Sequence, residues 1–140
     1  MNKNFNVIRI DHIAFATDSL QNSSSFLKDF LGMNHSALEE VVNEKVNVLK
    51  FFNGKNRTSL ELIEPTSKNS TVSKYIESRG NSLHHIALEV DNIKNAILYL
   101  KAKNINIIYD SPQKGADNKF ITFIHPKETP GLLIELCQNN

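Results

Sequence analysis

Two short stretches of the sequence decide the fold: Asp11-His12-Ile13-Ala14-Phe15 and His84-His85-Ile86-Ala87-Leu88. Each is followed by a polar stretch and then by apolar residues at helical spacing. Each half of the chain also ends on a strand-like segment that carries a glutamate, Glu61 in the first half and Glu135 in the second. The interval from His12 to His85 is one residue shorter than the interval from Glu61 to Glu135. This near-constant offset indicates two copies of one structural unit, each with one imidazole and one carboxylate.

The residue pattern predicts the same order of elements in both halves. In the first half we expect a strand over 7–16, a helix over about 20–31 that is capped by Asp18 or Ser19 and ended by Gly32, and strands within 41–52 and over 58–63. In the second half we expect a strand over 83–90, a helix that follows Asp91 or Asn92, and strands over 106–109, 119–124 and 132–136. A short helix over 71–78 lies in the connection.

This order predicts an α+β fold of two tandem βαβββ modules within a single domain over 1–140. Module one covers about 7–64, a linker with its short helix covers about 65–82, and module two covers about 83–138. The curved mixed sheets of the two modules are expected to form a shared metal-binding cavity, with the helices outside.

Composition excludes several classes of function. The 16 basic and 15 acidic residues nearly cancel to a net charge of +1, which argues against a nucleic-acid or membrane-surface partner. No apolar run approaches the roughly 20 residues that a bilayer span needs. The first residues lack the apolar stretch of a signal peptide, and the single cysteine allows no internal disulfide. We therefore expect a cytoplasmic protein.

Strand alternation makes four of these side chains candidate metal ligands. If Leu60 and Leu62 pack under a helix, Glu61 points to the opposite face of its strand, and the same argument applies to Glu135 between its apolar neighbours. A buried carboxylate is costly unless it is paired or bound to a metal. Any one of these residues alone would be interpreted as an outward-facing polar side chain. The doubled spacing favours a divalent first-row metal for the set, which is His12, Glu61, His85 and Glu135.

Several segments, spread over nearly the whole chain, resemble the vicinal oxygen chelate superfamily. That superfamily includes glyoxalase I, methylmalonyl-CoA epimerase, extradiol dioxygenases and drug-sequestering proteins, and the resemblance is closest to the epimerase branch. The matching segments are Ile10–Ala14, Leu60–Pro65, Ser70–Tyr75, Leu83–Ile93, Phe123–Lys127 and Gly131–Leu136. The His-His-Ile-Ala segment, the His-Pro-Lys turn and the Gly-Leu-Leu-Ile-Glu-Leu ending are the parts specific to that branch.

The resemblance implies a metal-dependent enzyme that interconverts the (R) and (S) forms of methylmalonyl-CoA. It carries the metal ligands over to the same four positions and favours cobalt, with nickel, manganese or zinc as alternatives. Some epimerases have an acidic residue, proposed as a base, where this chain has Val48. An acyl-CoA thioester substrate and a homodimer are the partners that the resemblance implies.

Epimerisation requires removal of the proton at C2 and stabilisation of the resulting enolate by the metal. Glu135 is the first candidate for the base, and Glu61 is its counterpart for the other face. Because a ligated carboxylate is a poor base, at least one of them must leave the metal, or a water must act instead. Lys119 and Asn118 are candidates for binding the substrate carboxylate, although an ordinary mobile hairpin loop is an equally good interpretation. The remaining scattered lysines are interpreted as solvated surface: Lys50, Lys55, Lys114 and Lys127.

Two other functions fit parts of the pattern. A glyoxalase I acting on a hemithioacetal would use the same four ligands and the same proton-transfer logic. A non-catalytic small-molecule binder would use the cavity without metal, but retention of all four ligand positions argues against it. A dioxygenase is disfavoured because Glu61 would occupy a position that oxygen chemistry needs open.

Overall fold

The computed structural model describes every residue from 1 to 140, and its architecture confirms the predicted α+β class. Its strands are β1 Val7–Ala16, β2 Asn34–His35, β3 Glu39–Val41, β4 Val46–Phe52, β5 Ser59–Pro65, β6 Ser82–Val90, β7 Gln113–Lys114, β8 Phe120–Ile124 and β9 Leu133–Gln138. Its α-helices are α1 Leu20–Ser25, α2 Thr71–Arg79 and α3 Ile93–Ala102, and a π-helical turn over Phe26–Phe30 extends α1. No helix combines the length and the apolar character needed to cross a bilayer.

The helices begin where short polar side chains can satisfy their first N–H groups. Of the two predicted caps for α1, it is Ser19 that accepts a hydrogen bond from the Asn22 N–H, at 3.2 Å. Asn92 caps α3 in the same way by accepting from the Asn95 N–H at 2.9 Å. After the π-helical turn the chain reverses at Gly32, whose φ of 67° lies in the left-handed region that favours glycine. Local sequence therefore sets the start and the end of the helices.

The strand predicted over 106–109 is wrong, because the segment forms only one isolated bridge, between Ile107 and Ile124. Asn104 has a φ of 59°, so the chain turns left-handed just before the segment. The Tyr109 carbonyl then accepts its hydrogen bond from the Thr122 hydroxyl, at 2.9 Å. The segment keeps two backbone hydrogen bonds around this bridge, from the Ile108 N–H to the Phe123 carbonyl at 2.8 Å and from the His125 N–H to the Asn106 carbonyl at 3.0 Å, and it does not continue into a strand.

The chain forms two compact units, and the division falls inside two strands. The central unit comprises His12–His84, and the terminal unit comprises Met1–Asp11 together with His85–Asn140. Strand β1 contributes its first residues to the terminal unit and its last residues to the central unit, and β6 does the reverse. The module boundaries inferred from the sequence repeat stay a prediction.

The two units use the same strand arrangement. In the central unit, β1 runs parallel to β5, and β5 pairs antiparallel with β4, which also carries β2 and β3. In the terminal unit, β6 runs parallel to β9, and β9 pairs antiparallel with β8, which carries β7. Asp91 donates its N–H to the Asn6 carbonyl at 3.1 Å, which ties the segment before β1 to the end of β6. The repeated ladder confirms the predicted duplication.

Each face of the terminal sheet carries an apolar cluster, and only one of the two faces is covered by a helix. Helix α3 packs its buried residues onto one face, in a core that contains Phe5, Val90, Ile93, Ala96, Ile97 and Leu136. The opposite face carries a second apolar cluster of Ala87, Ile121, Phe123 and Cys137. Because strand side chains alternate, the residues between the core positions point to the face that α3 does not cover.

We expect Ile97→Ala to lower the free energy of unfolding by about 2–5 kcal/mol, because it opens a cavity in the core under α3. Leu98 is the matched control on the same helix: it is 55% exposed, whereas Ile97 is 3% exposed. Leu98→Ala should change the free energy by less than about 1 kcal/mol. Urea unfolding followed by circular dichroism measures both variants. Equal effects would contradict the placement of α3.

Candidate metal centre

The central unit holds His12 and Glu61 side by side. His12 lies on β1 and Glu61 on β5, and the parallel register aligns Ala14 with Glu61, so the two side chains share one face of the ladder. The Nε2 of His12 is 3.3 Å from the Oε2 of Glu61. His12 is 4% exposed and Glu61 is 3% exposed. The unit therefore presents one buried nitrogen donor beside one buried oxygen donor.

The terminal unit repeats this arrangement with His85 and Glu135. Ala87 on β6 aligns with Glu135 on β9, again in a parallel register, and the Nε2 of His85 is 3.1 Å from the Oε2 of Glu135. The two residues are each 5% exposed. The Phe123 ring meets the His85 ring edge-on with centroids 5.7 Å apart, which restricts the orientation of the imidazole.

Apolar neighbours position each glutamate. Leu62 and Leu136 follow the two glutamates directly, both are buried, and strand alternation turns them to the opposite face. Leu136 belongs to the core under α3, so Glu135 lies on the other side of the sheet from that helix. Each buried carboxylate has an imidazole beside it, and nitrogen and carboxylate oxygen donors fit a divalent first-row metal. That the four residues bind one ion stays a prediction.

Next to His85 and Glu135 in the terminal unit lies a charge cluster with two buried carboxylates and two partly buried cations, formed by Arg9, Asp11, Glu89 and Lys119. Lys119 donates from Nζ to both oxygens of Asp11, at 2.7 and 2.8 Å. Arg9 joins the two carboxylates, with Nη2 2.9 Å from Asp11 and Nε 2.6 Å from Glu89. Asn139 donates to Glu89 at 2.9 Å. Because β6 and β9 align Glu89 with Cys137, the cluster extends the face that carries His85 and Glu135.

The structure gives both predicted substrate-binding residues partners within the protein. The ammonium of Lys119 is held by Asp11, as described above. The side-chain oxygen of Asn118 accepts from Lys114 Nζ at 2.9 Å, in an exposed loop where Asp117 and Asn118 have positive φ. Their role toward a substrate stays a prediction.

Sequence reasoning missed the placement of Lys50. It was interpreted as solvated surface, but it lies on β4 directly across from Glu61 and is only partly exposed. Val48 lies two residues earlier on the same face and is buried. The signal was present in the sequence, because Val46, Val48 and Lys50 alternate along one predicted strand.

Cys137 is fully buried on the face of the terminal sheet that carries Glu135. Burial raises the pKa of its thiol far above the ordinary value, and the negative charges of Asp11 and Glu135 raise it further. The thiol therefore stays protonated and packs as a small apolar group.

We expect Lys119→Met to lower the free energy of unfolding by about 3 kcal/mol, because it removes a cation from the buried carboxylate of Asp11. Lys94→Met is the matched control, since Lys94 is an exposed lysine on α3. The control should change the stability by less than about 0.5 kcal/mol in urea unfolding. If both substitutions had the same small effect, the cluster would not stabilise the fold.

Residues 11–123 match the Glyoxalase/Bleomycin resistance protein/Dioxygenase superfamily. An uncharacterized protein of Bacillus subtilis is 38% identical over 130 residues, which cover 93% of this chain and 91% of that protein. The mitochondrial methylmalonyl-CoA epimerase of Mus musculus is 34% identical over 131 residues, which cover 93% of this chain and 72% of the mouse protein.

A solved structure shows the same fold at similar sequence distance. A variant of the Streptomyces coelicolor methylmalonyl-CoA epimerase, in complex with 2-nitronate-propionyl-CoA, superposes with a TM-score of 0.90 at 29% identity. The match covers 96% of each chain. The topology described above is thus that of known epimerases.

Proposed function

The chain belongs to the glyoxalase/bleomycin resistance protein/dioxygenase superfamily, and from this premise we propose that it is a metal-dependent epimerase that interconverts (R)- and (S)-methylmalonyl-CoA. The observation that carries the proposal is the pair of buried His–Glu contacts at repeated positions, His12 with Glu61 and His85 with Glu135. Relatives named methylmalonyl-CoA epimerase match over nearly the whole chain and support the choice of substrate.

In this proposal the four residues of the two pairs hold one divalent cation, with cobalt favoured over nickel, manganese and zinc. When bound, the ion acts as a Lewis acid toward the thioester oxygen and so stabilises the enolate charge. Each imidazole offers Nε2 and each carboxylate offers Oε2, and these are the atoms that the structure brings together within each pair. A mixed nitrogen and oxygen set with two carboxylates suits all of these metals.

In this proposal the carboxylates of Glu135 and Glu61 carry out the proton transfers. A carboxylate oxygen of Glu135 that does not hold the ion accepts the C2 proton from one enantiomer, and Glu61 is its counterpart for the opposite face of the same carbon, because a carboxylate bound to the ion is a poor base. Val48 is buried and apolar, so it cannot act as an additional base on β4. Phe123 and Ala87 line the strand face around Glu135 and limit the access of water to it, which protects the enolate from side reactions.

The substrate in this proposal is an acyl-CoA thioester.

The protein is proposed to act as a homodimer. Ile8 and Ile10 on β1 are about half exposed and provide apolar surface for a second copy. Dimerisation is measured by sedimentation of the wild-type protein.

The decisive experiment follows hydrogen exchange at C2 of methylmalonyl-CoA in deuterated water by NMR, with cobalt-loaded protein. We expect rapid deuterium uptake that chelation abolishes and added cobalt restores. A folded, metal-bound protein without uptake would remove the epimerase proposal. Hemithioacetals are the next substrates in that case, because a glyoxalase I uses the same ligand set.

We expect Glu135→Gln to weaken cobalt binding at least tenfold and to slow C2 exchange more than a hundredfold, because it removes an anionic ligand and a base together. Glu77→Gln on the exposed surface of α2 is the control and should alter neither quantity. Isothermal titration calorimetry measures the affinity, and NMR measures the exchange rate. Unchanged exchange in metal-saturated Glu135→Gln would contradict the proposed role.

A further inference from the structure

Each candidate histidine ligand directly follows a residue whose side chain is held in the other unit. On β1, the carboxylate of Asp11 contacts Lys119 within the terminal unit. The next residue, His12, contacts Glu61 within the central unit. Successive side chains of a strand point in opposite directions, so neighbouring residues can belong to different units. A single peptide bond therefore joins the fixed carboxylate to the candidate ligand.

Strand β6 has the same arrangement in the opposite sense. The His84 ring meets the Tyr75 ring of α2 edge-on within the central unit, with centroids 4.8 Å apart. The Tyr75 hydroxyl also donates to the Leu83 carbonyl. The next residue, His85, contacts Glu135 within the terminal unit. The two histidine ligands thus have equivalent places in the chain, each directly after a residue that is held by side-chain contacts.

The contact that precedes His12 is ionic and shielded from water. The ammonium of Lys119 donates to both oxygens of Asp11, at 2.7 and 2.8 Å, and the side chains are 13% and 2% exposed. Arg9 adds a further contact to Asp11 at 2.9 Å. Charge-assisted hydrogen bonds of this kind are strong, and solvent screens them less than it screens surface pairs. Asp11 therefore has little freedom to move within the terminal unit.

The backbone of Lys119 is itself held in place. The Lys119 N–H donates to the Ala116 carbonyl at 3.2 Å, and the Lys119 carbonyl accepts from the Gly115 N–H at 3.0 Å. A Cβ atom on Gly115 would lie 2.8 Å from the Ile121 side chain, so the loop packs closely against β8. The ammonium of Lys119 thus extends from a backbone that is fixed at the start of β8.

Fixing Asp11 also restricts the backbone of His12. Consecutive Cα atoms are about 3.8 Å apart across a trans peptide bond, and the chain contains no cis peptide bond. The terminal unit that holds Asp11 is also the unit that carries His85 and Glu135. When one ion takes ligands from both units, this restriction lowers the entropic cost of bringing His12 to the ion.

We propose that Lys119 is a positioning residue of the metal centre. Through Asp11 it restricts the strand that carries His12, and so it raises the affinity for the divalent ion without being one of its ligands. The inference rests on the proposed function, in which one ion takes ligands from both units. It gives the Lys119 ammonium a role within the protein, in place of the substrate contact that the sequence suggested.

The test measures cobalt affinity by isothermal titration calorimetry under conditions in which circular dichroism shows every variant to be folded. Lys119→Met should weaken cobalt binding at least about tenfold, as is typical when a residue that orients a ligand is lost. Lys119→Arg keeps the charge and should retain most of the affinity. Ile97→Ala is the matched control, because it destabilises the same unit and leaves the ion pair intact. Its cobalt affinity should equal that of the wild type.

The visible absorption spectrum of bound cobalt separates positioning from ligation. At saturating cobalt, the spectrum of Lys119→Met should match that of the wild type, because all four ligands remain. Glu135→Gln should change the spectrum, because it removes an anionic ligand. A Lys119→Met spectrum altered in the same way as that of Glu135→Gln would mean that a ligand had been lost, which would contradict a positioning role.

The possible outcomes separate this inference from the proposed function. Equal cobalt affinity in Lys119→Met and the wild type, or an equal loss in Ile97→Ala, would overturn the assignment of Lys119. Rapid C2 exchange by the wild type together with unaltered cobalt binding in Lys119→Met would overturn it and leave the epimerase proposal intact. Selective loss of cobalt affinity in Lys119→Met without C2 exchange by the wild type would support the positioning role and reject the epimerase.

Discussion

The cost of burying a carboxylate in the middle of a strand is the constraint on which this structure depends. The cost is offset in the same way for Glu61 and for Glu135. Each carboxylate lies beside an imidazole on the neighbouring parallel strand, and apolar side chains pack on the opposite face. Strand side chains alternate, so one register of β6 and β9 has two results. It packs Leu136 under α3, and it places Glu135 beside His85 on the opposite face. A shift of β9 by one residue would turn Leu136 towards His85 and Glu135 towards α3, so the packing of the core and the position of the candidate ligand require the same register.

The features that the sequence predicts well are those that depend on neighbours in the chain. The strand over 7–16, the caps at Ser19 and Asn92 and the duplicated order of elements follow from alternation, turn residues and capping chemistry. The segment over 106–109, predicted as a strand, pairs with residues 123–125 through a single bridge, and its contacts lie far along the chain. No pattern within the segment itself contains that information.

The partners of charged side chains are also hard to predict from the sequence. Lys50 and Lys119 look alike in the sequence, yet one lies across a ladder from Glu61 and the other is enclosed by Asp11. Their partners are set by strand register and by contacts far along the chain. The nearly neutral composition conceals this internal arrangement, because opposite charges that pair in the interior cancel in the same way as charges scattered over the surface. The four candidate ligands stand out in the sequence only because the pattern of one histidine and one glutamate occurs twice.

The division of the chain into units has a consequence for the order of events on the ribosome. The first residues of β1 belong with strands that are translated after the central unit, and Asp11 contacts Lys119 across a sequence separation of 108 residues. At about 5–20 residues per second, the N-terminal strand waits roughly 5–20 s for that partner to be synthesised. The central unit, from His12 to His84, is available for folding first. Strand β1 therefore leaves the exit tunnel before the other strands of its sheet, but its first residues reach their native contacts only after those of the central unit.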